Sequence, residues 1–222
     1  MIYNKDSIKE PLGLLLKCFF GGFVSVIITF LIAIILEISV KEITAPFTTS
    51  FFDAFVKAGL TEEFSKFIIL YWIVWKRKEF DQHFDGIIYA VFVSMGFALV
   101  ENLMYVYKGG MNVALMRAVL SVPGHGFFAV AMGFYFSLAK FHVGPKKTEF
   151  MIKCLLVPVV LHGLYDFALM YGSKISDNPL LSIFLILSFT VIVISLWKRG
   201  LKKISMHYQR DTAVVLNEEI KD

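Results

Sequence analysis

The chain of 222 residues is 57% hydrophobic and only 18% charged, whereas soluble domains carry about 25% charged residues and shorter apolar runs. This composition, with a mean hydropathy of +0.69, excludes an ordinary soluble protein and predicts that the lipid bilayer is its main solvent. The net charge of +4 does not indicate a nucleic-acid partner, because the basic residues stand in short clusters between apolar segments, as topology signals do.

Apolar windows of about 20 residues predict an all-α fold, a polytopic membrane helix bundle with about six transmembrane helices. In chain order, the predicted spans are 12–36, 51–75, 86–107, 113–139, 150–171 and 179–197. We expect a single transmembrane domain over residues 1–200, followed by a polar cytoplasmic C-terminal tail over residues 201–222.

The second span is the least regular of the six, because charged residues interrupt its first two-thirds. Ser50 and Asp53 form an S-x-x-D helix-start signal, and the stretch from Phe64 to Trp75 is strongly apolar. Counting this segment as a span makes the loops alternate between basic and less basic. The N-terminus and the loops after the second, fourth and sixth spans are the basic ones, so the positive-inside rule predicts that both termini are cytoplasmic.

Ionisable side chains lie inside four of the predicted spans, where one charged group costs about 2.5–3.5 kcal/mol on insertion scales. The orientation places all of them between the midplane and the extracytoplasmic face. They are Glu62, Glu63 and Lys66 in the second span, Glu101 with its neighbour Asn102 in the third, His125 in the fourth, and His162 and Asp166 in the fifth. We interpret this cluster as the functional site.

A buried cluster of carboxylates and imidazoles supports three kinds of chemistry. A carboxylate can activate water as a general base, two His and one Glu can bind zinc, and a chain of carboxylates can relay protons in a transporter. The sequence contains no HExxH, GxSxG or GxGD motif, so the common intramembrane protease signatures are absent. The residues alone leave a hydrolase and a proton-coupled transporter open.

Five motifs, in order between about residues 60 and 170, resemble the PrsW family of membrane proteases. They are Glu62-Glu63-Phe-Ser-Lys66, Asp85-Gly-Ile-Ile-Tyr89, Gly96-Phe97-Ala98-Leu-Val-Glu101-Asn102-Leu-Met-Tyr105, Arg117 followed by Pro123-Gly-His125, and His162-Gly-Leu-Tyr-Asp166. The related CAAX-protease and bacteriocin-processing superfamily has an Arg after its Glu pair and a Phe four residues before its His. Lys66 and Ser121 stand here instead, and these departures favour the PrsW branch.

The resemblance implies a protease of the bacterial plasma membrane. Its expected partner is a single-pass membrane protein such as an anti-sigma factor, which it would cut on the extracytoplasmic side, in a site-1 type cleavage. The extracytoplasmic location agrees with the depth of the polar cluster obtained from the spans.

We hypothesise a catalytic group and a supporting group of residues. The catalytic candidates are Glu62, Glu63, His125 and His162, and the supporting residues are Lys66, Glu101, Asn102 and Asp166. One Glu of the pair activates water as the general base, and the two His stabilise the oxyanion or share a metal with Glu63. The amide of Asn102 can donate to the same oxygen. Zinc is the candidate cofactor, and the sequence leaves its presence open.

Two other classes of protein compete with the protease. A proton-coupled transporter would use the same carboxylates as a relay. A non-catalytic immunity or sensor protein would carry the same fold with a site that has lost its activity.

Overall fold

A computed structural model describes residues 10–40 and 43–174 and isolated positions between 188 and 206. Within these residues the fold is a bundle of α-helices without a strand, which confirms the predicted fold class. The elements are α1 (Leu12–Ser39), α2 (Pro46–Phe52), a π-helical segment (Asp53–Leu60), α3 (Thr61–Val74), α4 (Asp85–Val119), α5 (Ser121–Lys140) and α6 (Pro145–Lys174).

Four helices in the described part of the chain are long and apolar enough to cross a membrane. Their crossing segments are Leu12–Ser39, Asp85–Leu115, Ser121–Lys140 and Pro145–Gly172. They correspond to the first, third, fourth and fifth predicted spans. The sixth predicted span, 179–197, and the tail, 201–222, lie outside the described residues apart from isolated positions.

The second predicted span is a continuous helical path from Pro46 to Val74, built from α2, the π-helical segment and α3. The predicted start at Ser50 was wrong. The helix begins at Pro46, with Ala45 before it, and Ser50 lies buried within α2 without capping it. Proline is favoured at a first helical position because its φ is already helical and its missing N–H is not needed there.

The fourth predicted span, 113–139, is divided between two helices, so its predicted start was also wrong. The chain kinks at Gly110, which has φ 72°, and the helical segment beyond the kink ends at Val119. The next helix, α5, begins at Ser121 and carries Pro123 in its first turn, where a proline removes no hydrogen bond. The 20 residues of α5 then form the most buried of the four crossing segments.

Glycines allow the helices to cross with their backbones in contact. A Cβ added to Gly96 on α4 would lie 1.9 Å from the carbonyl oxygen of Phe19 on α1, and one added to Gly22 would lie 2.2 Å from the carbonyl oxygen of Val93. Gly133 of α5 approaches the carbonyl oxygen of Gly86 on α4 in the same way, at 2.3 Å. Small residues at crossings are the usual packing device of membrane helices.

The apolar core fills the end of the bundle that contains the loop between α3 and α4. Large buried side chains there include Phe80, Phe84 and Phe136. Asp85 fixes the loop, because its Oδ2 accepts hydrogen bonds from the backbone N–H groups of Asp81 at 3.0 Å and Gln82 at 2.7 Å. Towards the other end, polar side chains and cavities take the place of this core.

The crossing of α1 and α4 yields a direct test of the packing. Gly96→Ala should destabilise the protein by about 1–3 kcal/mol, because the methyl group overlaps backbone atoms that cannot move aside cheaply. Gly13→Ala, at an exposed position of α1, is the control, since an added Cβ there has no neighbour within 4 Å. Thermal unfolding in detergent measures both, and equal melting temperatures for the two variants would contradict the crossing.

Candidate functional site

The ammonium group of Lys66 lies at the centre of the polar cluster. Its Nζ donates to Oε1 of Glu63 at 2.8 Å and to Oε2 of Glu62 at 3.2 Å. The same nitrogen lies 3.2 Å from Nδ1 of His125 and 4.1 Å from the ring centroid of Phe97. Only 1% of the Lys66 surface is exposed. A lysine at such depth needs anionic partners, and the two neighbouring carboxylates supply them.

His162 is held between carboxylates on both sides of its ring. Its Nδ1 lies 2.9 Å from Oε1 of Glu63, and because a carboxylate only accepts, Nδ1 is the donor. Its Nε2 lies 3.4 Å from Asp166 Oδ2 and 3.9 Å from Glu62 Oε2. In the neutral ring this arrangement leaves the lone pair of Nε2 facing the carboxylates of Asp166 and Glu62.

His125 links Lys66 to a second group of charges. Because lysine only donates, Nδ1 of His125 accepts, and Nε2 then donates to Oε2 of Glu101 at 2.8 Å. The Arg117 guanidinium lies 2.8 Å from the same Glu101 oxygen. Nε of Arg117 donates to Oδ1 of Asn102 at 2.6 Å, so both nitrogens of the His125 ring are engaged and Glu101 has two partners.

The local folding of three elements brings these side chains together. Glu62, Glu63 and Lys66 lie in the first two turns of α3, immediately after the π-helical segment. Gly59 of that segment lets α6 approach closely, because a Cβ there would lie 3.0 Å from the carbonyl oxygen of Val159. This contact sets His162, one turn further along α6, against Glu63. Irregular helical turns of this kind occur frequently at functional sites.

Two cavities adjoin the cluster and meet at Glu62. The first, which we call the α6 cavity, has a volume of about 340 Å³ and is lined by α4, α5 and α6, including Arg117, His125 and His162. The second, the α1 cavity, has a volume of about 400 Å³ and lies between α1, the π-helical segment and α4. Both are lined by Glu62 and Glu101, whereas neither is lined by Glu63.

The charges of the cluster do not balance without an additional cation or bound protons. Its carboxylates are those of Glu62, Glu63, Glu101 and Asp166, and its permanent cations are Lys66 and Arg117. Ionised, these groups carry two more negative than positive charges, in a region where uncompensated charge is costly. One divalent cation, or protons on both imidazoles, would supply the missing charge.

The ligand atoms present are suited to a divalent metal ion. Two groups of three residues each have their ligand atoms within 4.8 Å of one another: Glu62, Glu63 and His162, and Glu62, Glu101 and His125. In the first group, Oε2 of Glu63 is buried with no hydrogen-bond partner in the described part of the chain, whereas no side-chain atom of the second group is both buried and unpartnered there. These observations favour the first group as the metal-binding one, with nitrogen and oxygen ligands that zinc accepts.

Comparison with known proteins identifies the family. The sequence profile described as "PrsW family intramembrane metalloprotease" matches residues 10–196. The chain belongs to the PrsW family. It is 37% identical over 220 residues to Protease PrsW of Clostridioides difficile (strain 630), and this alignment covers 96% of this chain and 87% of that protein. It is 38% identical over 202 residues to Protease PrsW of Bacillus subtilis (strain 168), and this alignment covers 90% of this chain and 86% of that protein. No solved structure matches.

Membership of the PrsW family confirms the resemblance found from the motifs and shows a membrane protease, in a family described as metalloproteases. It also gives the polar cluster its context, because peptide hydrolysis needs a group that activates water close to a space for the substrate. In the described residues, the two cavities beside Glu62 and Glu101 combine both.

The structure brings seven of the eight predicted site residues into one contact network: Glu62, Glu63, Lys66, Glu101, His125, His162 and Asp166. The side-chain oxygen of the eighth, Asn102, accepts a hydrogen bond from Arg117. The predicted metal ligands Glu63, His125 and His162 are divided between the two ligand groups, and Glu62 belongs to both.

The candidate list drawn from the sequence lacked Arg117, which the structure places against Glu101. The signal was present, because an arginine within a predicted span is costly and usually has a partner. Arg117 was included among the motifs without being counted with the intramembrane charges. Tyr105, whose ring lies 3.8 Å from the Arg117 guanidinium carbon, was missed because an aromatic residue in a membrane helix is not by itself informative.

Removing the central ammonium should reveal how strongly the cluster depends on it. Lys66→Met should lower the free energy of unfolding by about 3–5 kcal/mol, because it leaves two buried carboxylates without their cation. The double variant Lys66→Met/Glu63→Gln should recover part of this loss, since one of the two charges is then removed as well. Lys153→Met, which breaks the exposed pair with Glu149, is the control and should leave the melting temperature unchanged. A Lys66→Met variant as stable as this control would contradict the central role of Lys66.

Proposed function

We propose that this PrsW-family protease cuts a single-pass membrane protein, such as an anti-sigma factor, near the extracytoplasmic face of the membrane, with Glu62 as the carboxylate that takes the proton of the attacking water. The observation that carries the proposal is the position of Glu62. It lines both cavities and also contacts Lys66 and lies close to His162.

Glu62 is better placed for this role than Glu63. A general base must reach the proton that it abstracts, directly or through one water, and Glu62 borders the space in which water and substrate would lie. Glu63 is only 1% exposed, and its Oε1 is shared between Lys66 and His162. Oε1 of Glu63 therefore fixes the lysine and orients the imidazole, and Glu63 is not the base in this proposal.

We propose zinc as the metal, with Glu63 and His162 as the residues that would hold it and Glu62 beside them as the base. When bound, a zinc ion would polarise the substrate carbonyl and increase the acidity of water. Oε2 of Glu63, which has no hydrogen-bond partner among the described residues, is the carboxylate oxygen that would bind the ion. Asp166, one helical turn beyond His162, adds a further carboxylate beside Nε2.

The cationic and donor groups of the α6 cavity are suited to the negative charge that develops on the carbonyl oxygen. Arg117 lines that cavity, and its side chain is held in place by Glu101, Asn102 and the hydroxyl of Ser121, which accepts from Arg117 at 3.0 Å. A donor fixed in advance stabilises the transition state without reorganising during the reaction. His125 supports this group, since it donates to Glu101 and not into the cavity.

The distribution of basic residues supports cleavage near the extracytoplasmic face. The end of the bundle containing Trp75 is rich in lysine: Nζ of Lys140 donates to the carbonyl oxygen of Trp75 at 2.7 Å, and Lys147 lies 5.3 Å from its ring. By the positive-inside rule we assign this end to the cytoplasm. Counted along α3 to α6 at 1.5 Å per residue, the carboxylates of Glu62, Glu63 and Glu101 and the two imidazoles lie about 18–26 Å from it. In a hydrocarbon core of about 30 Å this is the outer half.

Cleavage in cells tests the proposed roles. In coexpression with a tagged single-pass anti-sigma factor, the wild type should produce a shorter, membrane-retained fragment. Glu62→Gln should reduce that product by at least about a hundredfold, as loss of a general base does, and His162→Ala should do the same. His142→Ala is the matched control, because His142 contacts the Leu138 carbonyl and Phe150 away from the site, and it should cleave at the wild-type rate.

Immunoblots with a tag at each end of the substrate report both the extent and the side of the cut. Each enzyme variant must be present at the wild-type amount for the comparison to count. Full cleavage by Glu62→Gln would remove Glu62 from the base role. Uncut substrate with the wild type, across a panel of single-pass partners, would contradict the proposed substrate class.

A further inference from the structure

We propose that the α1 cavity and the α6 cavity are the two halves of one peptide-binding cleft, which hold the substrate chain on opposite sides of the scissile bond. This inference rests on the proposed function and adds to it the path of the substrate. It commits to one occupant, an extended, mainly apolar segment of a transmembrane substrate that reaches the site between α1 and α4.

The two cavities meet at the proposed base, Glu62. They share five lining residues, Ala58, Glu62, Glu101, Tyr105 and Met170. The shared residues include the carboxylate proposed to activate water, so a chain running from one cavity into the other passes directly over it. A peptidase must hold residues on both sides of the bond that it cuts, because binding energy from the flanking residues positions the reacting carbonyl.

The α1 cavity begins beside the crossing of α1 and α4. Gly22 and Gly96 hold α1 and α4 in backbone contact. Beyond this point, towards the ends of both helices, the α1 cavity lies between them, lined by Val26 and Ala33 of α1 and Met104 of α4. The two helices touch at Gly22 and Gly96 and have a cavity between them further along, so they diverge from the crossing. The divergence gives a chain lying in the bilayer a route between them to Glu62.

The side chains that line the two cavities suit an apolar peptide segment. On the α1 side they are mainly apolar, with Val26, Phe30 and Met104, and on the other side Phe128 and Leu169 line the α6 cavity. Apolar walls on both sides match a substrate segment drawn from a membrane span. Each cavity has the volume typical of ligand sites, about 300–1,000 Å³.

The walls also offer a hydrogen-bonding group that an extended backbone needs. Thr29 lines the α1 cavity, and its hydroxyl oxygen is buried with no hydrogen-bond partner among the described residues. A peptide segment unwound for cleavage exposes N–H and C=O groups that must be satisfied at membrane depth. A lipid acyl chain would leave this hydroxyl without a partner, so the walls favour a peptide over a lipid as occupant.

Photo-crosslinking in the membrane tests the path. In the full-length Glu62→Gln protein, which retains the substrate, p-benzoylphenylalanine is placed at Phe30 in the α1 cavity, at Leu169 in the α6 cavity, or at the lipid-exposed control position Ile34. The substrate is the single-pass protein that the wild type cleaves. Adducts from positions 30 and 169 should map by mass spectrometry to opposite sides of the scissile bond, and position 34 should yield none. Adducts on one side only, or none from position 30, would overturn the two-sided cleft.

Filling the α1 cavity provides a second measurement. Ala33→Phe should reduce cleavage by about tenfold through a higher KM, because the added ring occupies the volume needed by the substrate. Ile34→Phe, at the neighbouring lipid-exposed position, should cleave as the wild type does. If Ala33→Phe cuts at the wild-type rate while the wild type is active, the cleft is wrong and the proposed function stands. If the wild type cuts no single-pass substrate, both fail.

Discussion

Burying the Lys66 ammonium in the bundle is the constraint on which the rest of the site depends. A charge at this depth is tolerated only with opposite charges and hydrogen-bond partners around it. The two carboxylates of α3 are within reach because they precede the lysine by one helical turn. His125 of α5 accepts from the same nitrogen, and His162 of α6 donates to the carboxylate shared with Lys66. One buried cation thereby ties three helices together.

The same charges that hold the helices together also define the chemistry of the site. With the second cation, Arg117, committed to Glu101, the ionised carboxylates still exceed the fixed cations by two charges. Such an excess suits a divalent ion, and the metalloprotease character of the family is consistent with it. The glycine crossings complete the arrangement, because they concentrate close packing at a few levels and leave space around the cluster for a substrate.

Much of this site could be predicted from the sequence, because charged residues inside apolar spans are rare enough to be informative. Glu62, Glu101, His125 and His162 stood out on different spans at similar depth, and the structure places them in one cluster. Contacts within one helix, such as Glu62 with Lys66, followed from the helical period alone. Partner choice between helices did not, which is why the assignment of Asn102 to the reacting oxygen could not anticipate its bond to Arg117.

Helix boundaries were the other part that the sequence did not resolve. Hydropathy extends smoothly from 113 to 139, yet the positive φ of Gly110 and the break at Leu120 depend on backbone geometry that no apolar pattern encodes. The π-helical segment before Glu62 is a further case, because it packs closely against α6 at Gly59 and Gly163, and such contacts between distant residues are not encoded in a local pattern. These irregular positions lie around the cluster, where contacts between helices override the conformation that the local sequence pattern favours.

We expect the charge cluster of α3 and α6 to hold a divalent metal in the active enzyme. The most direct test is X-ray absorption on the purified protein, reconstituted in lipid and shown to cleave its substrate, together with its metal content. We expect about one zinc ion per chain, bound by oxygen and a single imidazole with no sulfur ligand, and loss of the imidazole signal in His162→Ala. Full cleavage by protein that carries no metal, or a spectrum with sulfur ligands, would contradict it.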